Sequence, residues 1–343
     1  MSLPAQSSGG ATPPSSDAGR WRLIAAALAV LLLVTGGAVV YAVVSDDDST
    51  PTTQPTPTRT RTRPALPTTV PTQQASVGEE PAPPAGAAEP GAALRDVRYC
   101  NNDGVDLLLD FYHAPTEGPT PLLIFIHGGG WTSGDKNQVA RMEAFEPLLE
   151  AGYSLASPNY RLAPEVTFPA PILDVTCAVR HLRANAQAYG IDPDRIAISG
   201  FSAGSHLSLL AGLSDETAGF DEGMYAGVPS DVSAIVNYSG QVDVNELVSS
   251  HPEIARNIFT GDAAAMTAAS PISYLDAQDP PTLIIHGDAD VVVNVAQAEL
   301  LDARLTELGV EHETLIVPGG IHQLPADPAY TADLIAFLDQ HLA

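Results

Sequence analysis

Gly200-Phe201-Ser202-Ala203-Gly204 has the form G-x-S-x-G. The apolar run Arg195–Ser199 precedes it and the helix-like run Ser205–Leu210 follows it. A strand, a sharp turn and a helix form the setting that pushes a serine hydroxyl out above a sheet edge. Glycines on both sides suit so tight a turn, because a side chain there collides with the chain itself. Ser202 is therefore the candidate nucleophile. A serine hydroxyl reacts only when a base takes its proton and an acid orients that base. The charge developing on the attacked oxygen also needs preorganised donors.

Three further segments offer these parts. Leu122–Ile126 reads as a buried strand and runs into His127-Gly128-Gly129-Gly130-Trp131. Successive glycines leave backbone N–H groups uncovered, and an H-G-G-G loop upstream of such a serine turn is an oxyanion-hole motif. The residue after the serine, Ala203, supplies the other donor. Downstream, the strand-like Thr282–His286 leads into Gly287-Asp288-Ala289-Asp290, and His312–Val317 leads into Pro318-Gly319-Gly320-Ile321-His322. Either Asp288 or Asp290 could be the orienting acid. The order of serine, acid and histidine differs from the chymotrypsin and subtilisin orders and is the one expected of an α/β-hydrolase.

From about Arg95 onward the chain resembles the α/β-hydrolase superfamily, and within it the carboxylesterases of the hormone-sensitive-lipase and feruloyl/acetyl esterase groups. The segments that carry the resemblance are His127–Trp131, Pro158-Asn159-Tyr160-Arg161-Leu162-Ala163-Pro164-Glu165, the Ser202 turn, His286–Asp290 and Gly319–His322. The resemblance implies a catalytic set of Ser202 as nucleophile, His322 as base and then acid, and Asp290 rather than Asp288 as its orienter. It also implies an oxyanion hole built from Gly129, Gly130 and Ala203. Two departures stand out. Ser205 stands where Gly is usual, and Val291-Val292-Val293-Asn294 lacks the usual Pro after a Val. Both bear on pocket shape. Trp131, Phe201, Val242 and Ile321 neighbour the motifs and are candidate walls of the substrate pocket.

Most of the nine histidines have no catalytic context. His127 and His286 each end a strand, and His206, one helical turn past Ser202, is expected to pack beneath the serine turn. No paired Cys/His spacing suggests a metal. No G-x-G-x-x-G or Walker sequence follows a strand, so no cofactor is expected.

Strand-like runs near 106–112, 122–127, 153–157, 195–199, 233–238, 282–286 and 312–317 alternate with helix-like runs at 137–150, 172–189, 203–213, 295–308 and 330–341. Such alternation predicts an α/β domain with a mostly parallel sheet, helices on both faces and its site at the strands' carboxyl ends. The irregular stretch 241–279 is the candidate for a small cap.

The rest of the 343-residue chain is of another kind. Residues 1–22 form a short tail, and Leu23 to Val44 is an uncharged run of 22 residues, long enough to cross a bilayer as a helix. It exceeds a usual signal-peptide core and no A-x-A-like site follows it, so we read a retained single-pass anchor. Residues 45–90 form a Thr/Pro-rich linker too poor in large apolar residues to bury a core. Residues 91–343 are the α/β domain. It holds ten of the 15 Lys and Arg and 34 of the 41 Asp and Glu, an excess of 24 negative charges. Such a field repels nucleic acid and anionic lipid and disfavours anionic substrates, leaving a small neutral ester as the expected partner. The only two cysteines are Cys100 and Cys177. An even count in an exported domain favours a bridge between them. A peptidase or amidase on the same fold, or a surface binding module without chemistry, is the alternative reading. Oligomeric state is not legible.

Overall fold

The protein is described from a computed structural model, which covers residues 80–81, 88–142, 144–323 and 328–342. The expected membrane segment 23–44 and nearly all of the linker lie outside the described residues. Among the described residues, no helix is long and apolar enough to cross a membrane.

The strands are β1 (Ala93–Asn102), β2 (Val105–Tyr112), β3 (Thr120–Ile126), β4 (Ser154–Pro158), β5 (Ile191–Phe201), β6 (Ala234–Tyr238), β7 (Thr282–Gly287) and β8 (His312–Val317). The helices are α1 (Phe145–Glu150), α2 (Ala170–Ala184), α3 (Ala186–Tyr189), α4 (Ala203–Leu213), α5 (Leu247–Ser250), α6 (Pro252–Phe259), α7 (Ala263–Ala268), α8 (Ala296–Leu308) and α9 (Pro328–Leu342). The strands form one sheet of order β1-β2-β4-β3-β5-β6-β7-β8. The pairs β1–β2 and β2–β4 are antiparallel and all the others parallel. This is the α/β-hydrolase arrangement.

Two cores sandwich the sheet, and the two-residue period of a strand decides which side chain enters which. Leu122, Ile124 and Ile126 of β3 enter the core that α2 and α4 cover. Leu123 and Phe125 enter the other, with Phe337 and Leu338 of α9. Strands buried on both faces need such unbroken apolar runs.

Two elements differ from expectation. The predicted helix 137–150 is a short 3-10 turn, Lys136–Arg141, followed by α1. Pro147 explains the break, because in a longer helix its ring would clash with the carbonyl four residues earlier. It sits instead in the first turn of α1, where no N–H is needed. β1 had no expected counterpart. Its sequence, ALRDVRYCNN, mixes charge with apolar residues and pairs on one side only. The candidate cap region holds the short helices α5, α6 and α7 between β6 and β7.

Candidate active site

β5 delivers Ser202 and α4 leaves from it. Ser202 adopts φ +55° and ψ −120°, a conformation unfavourable for any residue with a Cβ. Its N–H donates to the Tyr238 carbonyl at 2.9 Å, which ties the turn to β6. The flanking glycines are forced. A Cβ on Gly200 would lie 2.4 Å from the Gly204 carbonyl carbon, and one on Gly204 would lie 2.1 Å from the Ile126 oxygen.

The turns after β7 and β8 bring the other two residues in. The Ser202 hydroxyl lies 2.8 Å from His322 Nε2, and His322 Nδ1 lies 2.6 Å from Asp290 Oδ2. A carboxylate only accepts, so Nδ1 carries the proton and Nε2 faces the serine as an acceptor. The second oxygen of Asp290 accepts the N–H groups of Val292 and Val293 at 2.8 and 2.9 Å. Both carboxylate oxygens are therefore fixed. Asp288 is exposed and accepts from Gly319 N–H at 2.6 Å, so it clips the two turns together rather than meeting His322. The Phe201 ring packs on His322 at 4.9 Å between centroids.

His286 also touches this carboxylate. Its Nε2 donates to the Val293 carbonyl at 2.9 Å and lies 3.4 Å from Asp290 Oδ2. Burial pushes the His286 pKa down, against the opposing pull of the Val293 carbonyl and Asp290. A neutral ring therefore braces the acid turn.

The glycine loop faces the serine from β3. Gly129 and Gly130 have φ of +126° and +60°, and a Cβ on Gly129 would lie 2.1 Å from the Ser133 carbonyl oxygen. The Gly129 carbonyl accepts from the N–H groups of Thr132 and Ser133, both at 3.1 Å. Gly128 N–H is already engaged, donating to Gln138 Oε1 at 2.7 Å. Among the described residues, the N–H groups of Gly129 and Gly130 have no acceptor. Ala203 opens α4, where first-turn N–H groups lack helical partners.

Residues not singled out as functional hold this loop. The Tyr160 hydroxyl donates to the His127 carbonyl at 3.1 Å and its ring stacks on His127 at 4.3 Å. Ala163 N–H donates to the Trp131 carbonyl at 2.9 Å. Between them, Arg161 is paired in the interior with Asp174 of α2, Nε to Oδ2 and Nη2 to Oδ1, each at 2.9 Å. Asn102 Nδ2 donates to the same carboxylate at 2.6 Å. Cys100 of β1 and Cys177 of α2 are joined as a disulfide beside this pair. Tyr160 and Arg161 belong to the segment that carries the resemblance; Gln138 and Asp174 have no local signal.

Two expected pocket walls are corrected. Val242 is fully buried, and Trp131 is 5% exposed within the same core. The Trp131 ring is wedged against Phe259 of α6, and its Nε1 donates to His206 Nδ1 at 3.2 Å. His206 Nε2 donates to the Ala269 carbonyl at 2.7 Å, and burial pushes its pKa down to about 4. These residues fill space beneath the serine turn instead of lining an opening. Phe201 is half-buried against His322, and Ile321 is 55% exposed. Among the described residues, a cavity of about 340 Å³ lies beyond the ends of β6, β7 and β8, with Ile321 in its lining.

Residues 109–305 match the family model BD-FAE; the match spans the glycine loop, the serine turn and Asp290, and ends before His322. Esterase LipQ of Mycobacterium tuberculosis (strain ATCC 25618 / H37Rv) is 33% identical over 229 residues, 64% of this chain and 54% of the relative. Esterase LipC of the same organism is 33% identical over 242 residues, 62% of this chain and 57% of the relative. The chain thus spans about half the length of the curated relatives it matches. A solved structure described as a truncated carbohydrate esterase from gut microbiota is 32% identical and superposes with a TM-score of 0.66, over 75% of this chain and 99% of that one. The sheet order, the strained serine turn and a family match over more than half of the sequence lead to one lineage: the chain belongs to the BD-FAE family.

Proposed function

We propose that this protein is a serine carboxylesterase that hydrolyses small neutral esters through an acyl-enzyme. The hydrogen-bonded line from Ser202 through His322 to Asp290 carries this reading. Ser202 Oγ attacks the ester carbonyl while its proton passes to His322 Nε2. Asp290 stays ionised, orients the ring and stabilises its cation. The carbonyl oxygen becomes an oxyanion facing the N–H groups of Gly129, Gly130 and Ala203. His322 then protonates the leaving oxygen as its bond to the carbonyl carbon breaks. Water repeats the sequence on the acyl-enzyme and restores Ser202. The names of the three relatives described above, all esterases, favour an ester over a peptide bond.

The uncharged run 23–44 and the Pro-rich stretch 45–90 support a single-pass anchor and a stalk that hold this domain outside the cytoplasm.

Hydrolysis of p-nitrophenyl acetate by the wild type and by Ser202→Ala tests the chemistry. Loss of a triad member lowers kcat by roughly 10⁴-fold or more. Activity that survives the substitution, or its absence from the wild type across short acyl chains, would overturn the reading.

A further inference from the structure

Successive glycines have no side chains to restrain them, so each peptide plane of the glycine loop turns freely unless a hydrogen bond holds it. A trans peptide points its N–H opposite its C=O, so fixing one end of a plane aims the other. The plane of Gly129 N–H is fixed at the Gly128 carbonyl, which accepts from His127 Nδ1 at 2.9 Å. The plane of Gly130 N–H is fixed at the Gly129 carbonyl. That oxygen accepts from the N–H groups of Thr132 and Ser133 at 3.1 Å and from the Ser133 hydroxyl at 3.0 Å. These bonds begin and end within the loop, so they set its shape but not its place.

The plane of Gly128 N–H is held at both ends by side chains from elsewhere in the fold. Gln138 Oε1 accepts the N–H at 2.7 Å, and the Tyr160 hydroxyl donates to the His127 carbonyl at 3.1 Å. Gly128 also lies hard against the serine turn. A Cβ there would be 2.9 Å from the Phe201 oxygen and 3.5 Å from Ser202 Cβ. A shift of this plane therefore carries the N–H groups of Gly129 and Gly130 past Ser202.

Gln138 stands on a fixed base. It belongs to the 3-10 turn Lys136–Arg141, and its N–H donates to the Asp135 carbonyl at 2.9 Å. Lys136 N–H donates to Asn159 Oδ1 at 2.6 Å, and Lys136 Nζ pairs with Asp110 Oδ1 at 2.8 Å and Asp96 Oδ1 at 2.9 Å. Lys136 and Asp110 are both buried, and breaking such a pair leaves an uncompensated charge inside, so the turn stays seated. Val139 is fully buried in the core that holds Phe145 of α1. The half-buried Gln138 side chain spans from this base to the loop.

We propose that Gln138 is a positioning residue of the oxyanion hole. Its carboxamide oxygen withdraws Gly128 N–H from the hole and seats the first plane of the loop. Gly129 and Gly130, rather than Gly128, then meet the oxyanion beside Ala203. The inference rests on the ester-hydrolase reading and goes beyond it by naming the side chain that aims the donors.

Gln138→Met keeps the length of the side chain and removes the acceptor. Two ketones separate aiming from binding. Ser202 Oγ adds to the carbonyl carbon of trifluoromethyl butyl ketone, its proton passes to His322 Nε2, and the carbonyl oxygen becomes an oxyanion in the hole. Methyl butyl ketone binds without this addition. In Gln138→Met, kcat/KM for p-nitrophenyl acetate is expected to fall about 10–100-fold, less than the roughly 100–1,000-fold of losing a donor outright. The Ki of the trifluoromethyl ketone is expected to rise by about the same factor, because only interactions made in the tetrahedral state are lost. The Ki of the methyl ketone and the pH midpoint of kcat/KM stay unchanged, since His322 keeps its partners. Gln138→Glu retains an oxygen at the same reach and is expected to stay at least fivefold above Gln138→Met. Far-UV circular dichroism checks the fold of each variant. If Gln138→Met does not fold, Gln138→Asn, which draws the oxygen back by one methylene, takes its place with the same expected pattern. Wild-type kcat/KM and ketone affinity in the folded variant overturn the proposal. So does an equal loss of affinity for both ketones, a shifted pH midpoint, or a Gln138→Glu protein as slow as Gln138→Met. Absence of all Ser202-dependent hydrolysis in the wild type strikes the esterase reading, and the inference with it.

Discussion

Two buried histidines make the molecule acid-sensitive for a reason separate from catalysis. His181 sits between the hydroxyls of Tyr225 and Tyr189, and His206 between Trp131 Nε1 and the Ala269 carbonyl. Burial pushes both pKa values down to about 4. The unfolded chain, with imidazoles near 6.5, binds more protons than the folded one between these values. Stability is therefore complete above about pH 6.5 and falls as the pH drops towards 4, by roughly 3 kcal/mol per ring at most. Urea unfolding at pH 7 and pH 4.5 measures the drop. His206→Gln, which keeps a donor and an acceptor but does not titrate, should flatten the slope. His206 was expected beneath the serine turn from its spacing alone, and it lies there. The spacing could not show that Trp131 would be its partner. A residue next to a motif in sequence can face either the opening or the core, and for Trp131 and Val242 the aromatic block beneath α4 selects the core.

Ser202, Asp290 and His322 meet because β5, β7 and β8 are parallel and end on the same side of the sheet. Each motif was legible as an apolar run followed by a turn, which is why Ser202 and His322 could be singled out before their contacts were known, while only the family resemblance chose Asp290 over Asp288. The supports were less legible, since Gln138, Asp174 and Asn102 act across the fold and leave no local pattern. The turns after β7 and β8 approach so closely that a Cβ on Gly287 would lie 2.2 Å from the Gly320 oxygen and 2.9 Å from its Cα. Those atoms are backbone and cannot swing aside. Gly287→Ala must spread the acid turn from the base turn. A misplacement of about 1 Å can lower the rate by roughly 100-fold. We expect a kcat loss of about that size with far-UV circular dichroism unchanged. Wild-type kcat in a folded Gly287→Ala protein would show that the turns are not coupled.

At the scale of the whole molecule, the Cys100–Cys177 bridge fastens the edge strand β1 to α2, with 77 residues of sequence separation. In the chain-entropy model a loop of this length contributes about 4–5 kcal/mol, and often less in practice. The double substitution Cys100→Ala/Cys177→Ala should lower the unfolding free energy by about 2–5 kcal/mol, and reductant should lower the wild-type denaturation midpoint but not that of the variant. β1 itself escaped the sequence reading because ALRDVRYCNN mixes charged and apolar residues and is mostly exposed over its first half, whereas the buried β3 announced itself by five apolar residues in a row. The bridge also divides the proposed catalytic residues topologically. The glycine loop lies inside the covalent ring it closes, while Ser202, Asp290 and His322 lie outside. A protease that cuts the chain between residues 101 and 176 would therefore open a lasso without freeing either end, and the glycine loop would stay tethered to the Ser202 turn.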